Sequence, residues 1–250
     1  MSLSARAPAR PVRVVFLDDG GVMSDNELRG AQFRRLLGEF FAPRLGGSVD
    51  TWADANRIVF AAQWERWMAF RASGVRAVGD WWLRDSRRWL TEMCDLVGVA
   101  PPAELDEMVE ASQRYVVPRV RAAFPETVET IRALARVVRL ETASGQGTRM
   151  LDETLRGLDV RELFGRRLYG PDLLGEDKTG PHFFAAILAD AGVDAADGLV
   201  VDDSAEALDW ARAAGLRTAL MDRTGTGGGR HRAVRSLDDV AGLLELAEQR

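Results

Sequence analysis

Four short runs of aliphatic and β-branched residues constrain this chain more than anything else in it. They are Val12–Leu17, Val137–Thr142, Gly198–Val201 and Arg217–Met221. Each is too short for a helix and reads as a buried strand. Around the last three lie stretches with helical spacing. Pro125 opens one, with Val128, Ile131 and Leu134 on a common face. Thr148–Leu155 and Pro181–Ala191 keep the same period, and Ala205–Ala214 stops at Gly215. Ser236-Leu-Asp-Asp239 reads as a capping box with Asp in place of Glu, opening a last helix through Leu246. Strands that alternate with helices form β-α units, and these demand a parallel sheet with right-handed crossovers. The prediction is a three-layer, Rossmann-like α/β core made of residues 12–23 and 125–250.

Residues 24–124 break the pattern, because no strand can be found there. Asp50 is expected to cap a long helix carrying Ile58, Ala61, Trp64 and Met68 and closed by Gly74. Asp80 is expected to cap another, carrying Trp82, Leu83, Trp89, Leu90, Met93 and Val97 and closed by Gly98. Pro101-Pro102 is expected to open a third. Six of the seven tryptophans fall between Trp52 and Trp89, which reads as the aromatic core of a small helical bundle. The prediction is therefore an all-helical domain inserted just after the first strand. Residues 1–11 show no periodicity and no apolar centre, so they read as a disordered lead and not as a secretory signal.

Composition narrows the function. The net charge of −5 disfavours binding of nucleic acid through bulk positive charge. No apolar run reaches the ~18–20 residues of a membrane span. The single cysteine, Cys94, cannot form a disulfide within the chain, and with only His182 and His231 it cannot complete a zinc site. A reduced, cytoplasmic setting is expected. Of the 33 basic residues, only Lys178 is a lysine.

In an open parallel sheet, ligands bind beyond the carboxyl ends of the strands. The first strand delivers Asp18 and Asp19, then Gly20-Gly21. The second delivers Thr142, Ser144 and Gly145, and the third Asp202, Asp203 and Ser204, while Lys178 stands in a loop before a helix. Two acidic strand ends in one crevice repel unless a cation lies between them, and hard carboxylate oxygens suit Mg²⁺. A lysine and a serine beside that ion can hold the oxygens of an anion. The set matches phosphoryl transfer through a carboxylate nucleophile.

At these residues the chain resembles the haloacid dehalogenase superfamily, and within it the helical-capped phosphatases and β-phosphoglucomutase-like enzymes. The family's Asp-x-Asp-Gly-(Thr/Val)-(Leu/Val) motif reads here Asp18-Asp19-Gly20-Gly21-Val22-Met23. Its second motif, a strand ending in Ser or Thr, reads Leu140-Glu-Thr-Ala-Ser144-Gly145. Its third reads Lys178-Thr-Gly-Pro181-His-Phe-Phe184, and its acidic pair reads Val200-Val-Asp202-Asp203-Ser204. The resemblance covers residues 12–23 and about 125–222, and the helical insert lies where the family carries its cap. It implies that Asp18 is the nucleophile and that Ser144 and Lys178 assist catalysis. Ser144, Gly145 and Lys178 would bind the substrate. Mg²⁺ would be held by Asp18, the Gly20 carbonyl, Asp202 and Asp203. A small phosphorylated molecule is the expected partner, with the protein a monomer or homodimer.

One position departs from the family. The acid/base Asp, which protonates the leaving alcohol and later activates water, is replaced by Gly20. The rival register, with Asp19 as acid/base, would put inert Leu17 at the nucleophile position. Losing general acid/base help typically costs ~10²–10⁴ in rate. The alternatives are a substrate with a good leaving group, a replacement acid such as Asp19 or Asp25, or a phosphate-binding protein with little catalysis. A phosphonate-cleaving enzyme would need a lysine in the cap, which has none. Haloacid dehalogenases need no metal and usually lack the acidic pair. His182, His231 and Cys94 read as surface or packing residues, Thr224–Gly229 as a flexible loop, and Arg71, Arg76, Arg84, Arg87 and Arg88 as solvated charges.

Overall fold

The computed structural model of the chain describes residues 10–73, 78–226 and 229–248. Most of the expected lead, the Gly74 stop, Arg76 and Gly227-Gly228 lie outside the described residues, as do the side chains of Arg71 and Asp80. The described chain groups into two compact units, one made of residues up to Ser24, Ala123–Leu151 and from Asp159 onward, the other of Asp25–Ala122 and Asp152–Leu158.

In chain order the elements are β1 (Val14–Leu17), α1 (Asn26–Leu45), α2 (Val49–Ala72), α3 (Val78–Val97), α4 (Leu105–Val116), α5 (Thr127–Leu134) and β2 (Arg139–Thr142). They continue with α6 (Thr148–Gly157), α7 (Pro171–Leu174), α8 (Pro181–Ala191), β3 (Gly198–Asp202), α9 (Ala205–Ala213), β4 (Arg217–Met221), β5 (Arg232–Val234) and α10 (Leu237–Glu248). The five strands form one parallel sheet in the order β2-β1-β3-β4-β5. β1 and β3 are buried along their whole length, as strands covered by helices on both faces must be. A core of Phe16, Phe183, Phe184, Ile187, Val200 and Leu208 fills one side. The predicted α/β class is therefore the observed one. β5 was not anticipated, since Arg-Ala-Val at a sheet edge is too short to carry an apolar period.

Register carries this order to chemistry. Leu17 pairs with Thr142 on one side and with Val201 on the other. The next residues, Asp18 and Asp202, therefore emerge side by side where β1 meets β3. In this strand order that junction is where successive connections leave in opposite directions, and it opens the crevice that receives ligands.

The helical unit buries Leu36, Leu37, Phe40, Phe41, Trp52, Val59, Trp89, Leu90, Met93 and Cys94. Here several expectations are corrected. Ser48, not Asp50, caps α2: its hydroxyl accepts from Thr51 N–H at 3.2 Å while Thr51 Oγ1 accepts from Ser48 N–H at 2.9 Å, and Asp50 lies in the first turn. α4 begins at Leu105, three residues beyond Pro101-Pro102. The α2 face of Ile58, Ala61, Trp64 and Met68 is exposed, and Trp52, Ala55, Val59 and Trp67 form the buried one. On α3, Trp89, Leu90 and Met93 are buried as expected, but Trp82 and Leu83 are exposed. Arg87 and Arg88 pair with Asp106 and Glu92. Among the described residues, no helix is long and apolar enough to cross a membrane.

Candidate active site

The peptide N–H of Asp18 donates to Val201 O at 3.1 Å, extending the β1–β3 ladder by one residue and fixing where the carboxylate leaves the sheet. Lys178 enters from the loop before α8. Its Nζ lies 3.2 Å from Asp18 Oδ1 and 2.5 Å from Asp202 Oδ2, and it donates to Ala143 O at 2.9 Å. Burial works to lower the pKa of this ammonium, but Asp18 and Asp202 outweigh it and hold the lysine charged. Burial, reinforced by the Asp18 charge, pushes the Asp202 carboxyl above its ordinary range despite the lysine. The other oxygen, Oδ1, accepts from Ser204 N–H at 2.9 Å.

Asp203 completes the cluster. One carboxylate oxygen from each of Asp18, Asp202 and Asp203 lies within 4.8 Å of the other two. Lys178 pairs with Asp18 and Asp202, and Asp203 brings a third carboxylate to the same place. Three carboxylates that bring oxygen donors this close together fit a hard dication. The peptide joining Gly20 to Gly21 is oriented by a bond from Gly21 N–H to Ser24 O at 2.8 Å. In a planar trans peptide the Gly20 carbonyl then points away from Ser24. Gly21 itself has φ +75°, and a Cβ there would stand 2.0 Å from Asp203 Oδ2. Only glycine lets the backbone lie this close to that carboxylate.

The two adjacent aspartates behave differently. Asp19 is fully buried, and its Oδ1 accepts from the Ser24 hydroxyl at 2.8 Å while its carbonyl accepts from Met23 and Ser24 N–H. It closes the 19–24 loop. Leu17, the nucleophile position of the rival register, is buried within β1. Asp25 is the N-cap of α1, accepting from Glu27 and Leu28 N–H. Ser144 is buried two residues past the end of β2. Its N–H donates to Tyr169 O at 3.1 Å and its Oγ accepts from Gln146 N–H at 3.2 Å. Lys178 is tied to this segment through Ala143 O. Gly145 is exposed, with open space where a Cβ would lie. The residues set aside keep structural roles. Cys94 is core, with burial pushing its thiol up to about 11. His231 is buried between Asp209 and Thr218, and His182 lies half-exposed beside Glu176.

Sequence reasoning missed Arg223, which lies two residues beyond β4 and contacts the Gly21 and Val22 carbonyls. Its only signal was its place past the carboxyl end of a strand.

A family model for haloacid dehalogenase-like hydrolases matches residues 12–215. Among solved structures, the chain is similar to YfnB from Bacillus subtilis bound to magnesium, with TM-score 0.68 and 16% identity over 94% of this chain and 99% of that one. It is similar to the 2-haloacid dehalogenase from Pseudomonas syringae pv. Tomato DC3000, with TM-score 0.67 and 19% identity over 94% and 99%. It is also similar to the L-2-haloacid dehalogenase from Xanthobacter autotrophicus, with TM-score 0.61 and 16% identity over 94% and 98%. At such identities the likeness establishes the fold. A sequence search of curated proteins gives no match.

Proposed function

The chain belongs to the haloacid dehalogenase-like hydrolases, and within that family we propose that it is a Mg²⁺-dependent phosphatase acting on a small phosphorylated molecule. The observation that carries this reading is the meeting of one carboxylate oxygen from each of Asp18, Asp202 and Asp203 within 4.8 Å of one another, with Lys178 paired to Asp18 and Asp202. Asp18, Asp202, Asp203 and the Gly20 carbonyl would hold the ion. Bound there, Mg²⁺ supplies the positive charge that lets an anionic phosphoryl group approach an anionic nucleophile. Asp18 attacks phosphorus, an aspartyl-phosphate forms and the leaving oxygen departs with its bonding electrons. Water then cleaves the acyl phosphate, restoring the carboxylate and releasing inorganic phosphate. Lys178 holds Asp18 in line, and the Ser144 hydroxyl and the lysine ammonium bind phosphoryl oxygens. With Gly20 at the acid/base position, no side chain there protonates the leaving group. Acyl and aryl phosphates, whose leaving oxygens are stable unprotonated, are the favoured substrates.

A second reading has one observation in its favour. Displacement of a halide needs no proton donor, so Gly20 is no handicap to a dehalogenase, the activity named for two of the similar structures. Against it stands the gathering of three carboxylates at the site, which disfavours the carboxylate of a 2-haloacid. Phosphate release from acetyl phosphate and p-nitrophenyl phosphate, and chloride release from 2-chloropropionate, each with Mg²⁺ or EDTA, separate the two. Mg²⁺-dependent phosphate release is expected. Chloride release unaffected by EDTA, without phosphate release, would overturn the proposal.

A further inference from the structure

Beyond β4, Arg223 reaches across to the loop that follows β1. Its Nε donates to Gly21 O at 3.1 Å, its Nη2 to Val22 O at 2.6 Å and its Nη1 to Glu126 Oε1 at 2.8 Å. The guanidinium carbon sits 3.3 Å from the centroid of the Phe124 ring. One planar group thus meets two backbone carbonyls, a carboxylate and an aromatic face. A lysine could not reproduce this, because a single ammonium has neither the fork nor the flat surface. Glu126 is held in turn: burial works to raise its pKa, but Arg223 and backbone N–H donors outweigh burial and keep it ionised.

The two carbonyls matter because of what the same loop touches on its other side. Gly21 adopts a left-handed φ and lies against the Asp203 carboxylate, closer than any side chain would permit. Its N–H is committed to Ser24 O, which sets the direction of the Gly20 carbonyl. The loop is therefore pinned from within by Ser24 and from outside by Arg223, with a carboxylate of the acidic cluster pressed against it. Glycine adopts this φ without strain, so what fixes the loop is the set of contacts around it.

We propose that Arg223 is a positioning residue that locks the Gly20–Val22 loop in the form presenting the Gly20 carbonyl and accommodating Asp203 at the cation. This rests on the reading of the acidic cluster as a Mg²⁺ site. The sign of the effect distinguishes it from electrostatics. Deleting a positive charge near an acidic cluster should strengthen Mg²⁺ binding by Coulomb attraction alone. Losing the lock should weaken it, by roughly the 10–100-fold typical of lost outer-shell support.

The test is isothermal titration of Mg²⁺ into the wild type, Arg223→Lys and Arg223→Met, well below each Tm, with hydrogen exchange of the 20–24 amides measured in parallel. Weaker binding in both variants and faster exchange in that loop are expected. Millimolar ethylguanidinium added to Arg223→Ala should restore part of the affinity. If Arg223→Met does not fold, Arg223→Lys carries the comparison, since it keeps the charge and loses only the fork. Unchanged or tighter Mg²⁺ binding in the variants, or unchanged exchange in the loop, would overturn the inference. A wild type that binds no Mg²⁺ would instead overturn the reading of the cluster on which it rests.

Discussion

Replacing Gly21 by alanine tests the site at its tightest point. A methyl there stands 2.0 Å from Asp203 Oδ2, and ordinary contact begins at 3.4 Å, so the oxygen must retreat by about 1.4 Å. The carboxylate can rotate, so the overlap is relievable, but only by moving a proposed ligand. Mg²⁺ demands oxygen at about 2.0–2.1 Å in near-octahedral array, and a displacement of this size removes the ligand altogether. Gly21→Ala should therefore weaken Mg²⁺ binding nearly as much as Asp203→Ala, and by at least roughly 10-fold. The positive φ of +75° adds a backbone cost that does not depend on Asp203, about 1–2 kcal/mol for an L-residue. A double-mutant cycle separates the two. In the Asp203→Ala background the carboxylate overlap is gone and only the backbone cost and a 3.0 Å contact with the Cβ of residue 203 remain, so Gly21→Ala should destabilise the protein less there than in the wild type. Titration calorimetry gives the affinities and urea unfolding the stabilities. Full Mg²⁺ affinity in Gly21→Ala, or equal stability costs in the two backgrounds, would refute the reasoning.

Three further outcomes are expected. Lys178→Met leaves the buried carboxylates unpaired, so the variant should lose activity and about 3–5 kcal/mol of stability, and Mg²⁺ should raise its Tm more than that of the wild type in a thermal-shift assay. Asp19→Asn keeps an oxygen that can accept from the Ser24 hydroxyl, so it should retain most of the phosphate release that Asp18→Asn abolishes; the reverse result would move the nucleophile by one residue. Glu141 is buried, its Oε2 has no hydrogen-bond partner, and burial outweighs Arg139 to raise its pKa. The folded state thus binds this proton more tightly than the unfolded chain, and stability falls as pH rises from the ordinary carboxylate range through the raised folded value. Glu141→Gln should stabilise the protein by about 1 kcal/mol at pH 7, with the gain vanishing near pH 4, as read by urea unfolding across pH.

The sheet was legible because its strands carry their own signal. Val14–Leu17 and Gly198–Asp202 are buried throughout, so burial and sequence say the same thing. The helical unit was less so. α1 carries little helical signal of its own because Gly30, Gly38 and Pro43 lie within it. Gly38 is there for packing: a Cβ would stand 2.3 Å from Val49 O, so the residue that lowers helix propensity is the one that lets α1 and α2 approach. On α2, apolar residues occupy both faces. Counting apolar positions at helical spacing then selects Ile58, Ala61, Trp64 and Met68 as readily as the buried Trp52, Ala55 and Val59. What distinguishes the faces is the neighbouring helices, and those are not a local property of the sequence.

The site divides along the same line. Asp18, Lys178, Asp202 and Asp203 could be named because each is a charged residue at the carboxyl end of a strand or in a loop beside one, where a packed core gives no reason for a charge. Their meeting follows from register, since the pairing of Leu17 with Val201 sets Asp18 beside Asp202. Arg223 satisfies the same positional rule but is one arginine among 32 in this chain, and nothing local marks it. Its role comes from a side chain that spans from the end of β4 to two carbonyls about 200 residues earlier, a contact created only when β4 takes its place in the sheet. Asp19 is the converse case. Its composition and place suggest chemistry, yet it faces inward to Ser24 and shapes the loop that its neighbour needs. Asp18 still continues the β1–β3 ladder through its N–H, whereas Asp19 lies in the bend that follows, so two adjacent carboxylates meet different surroundings.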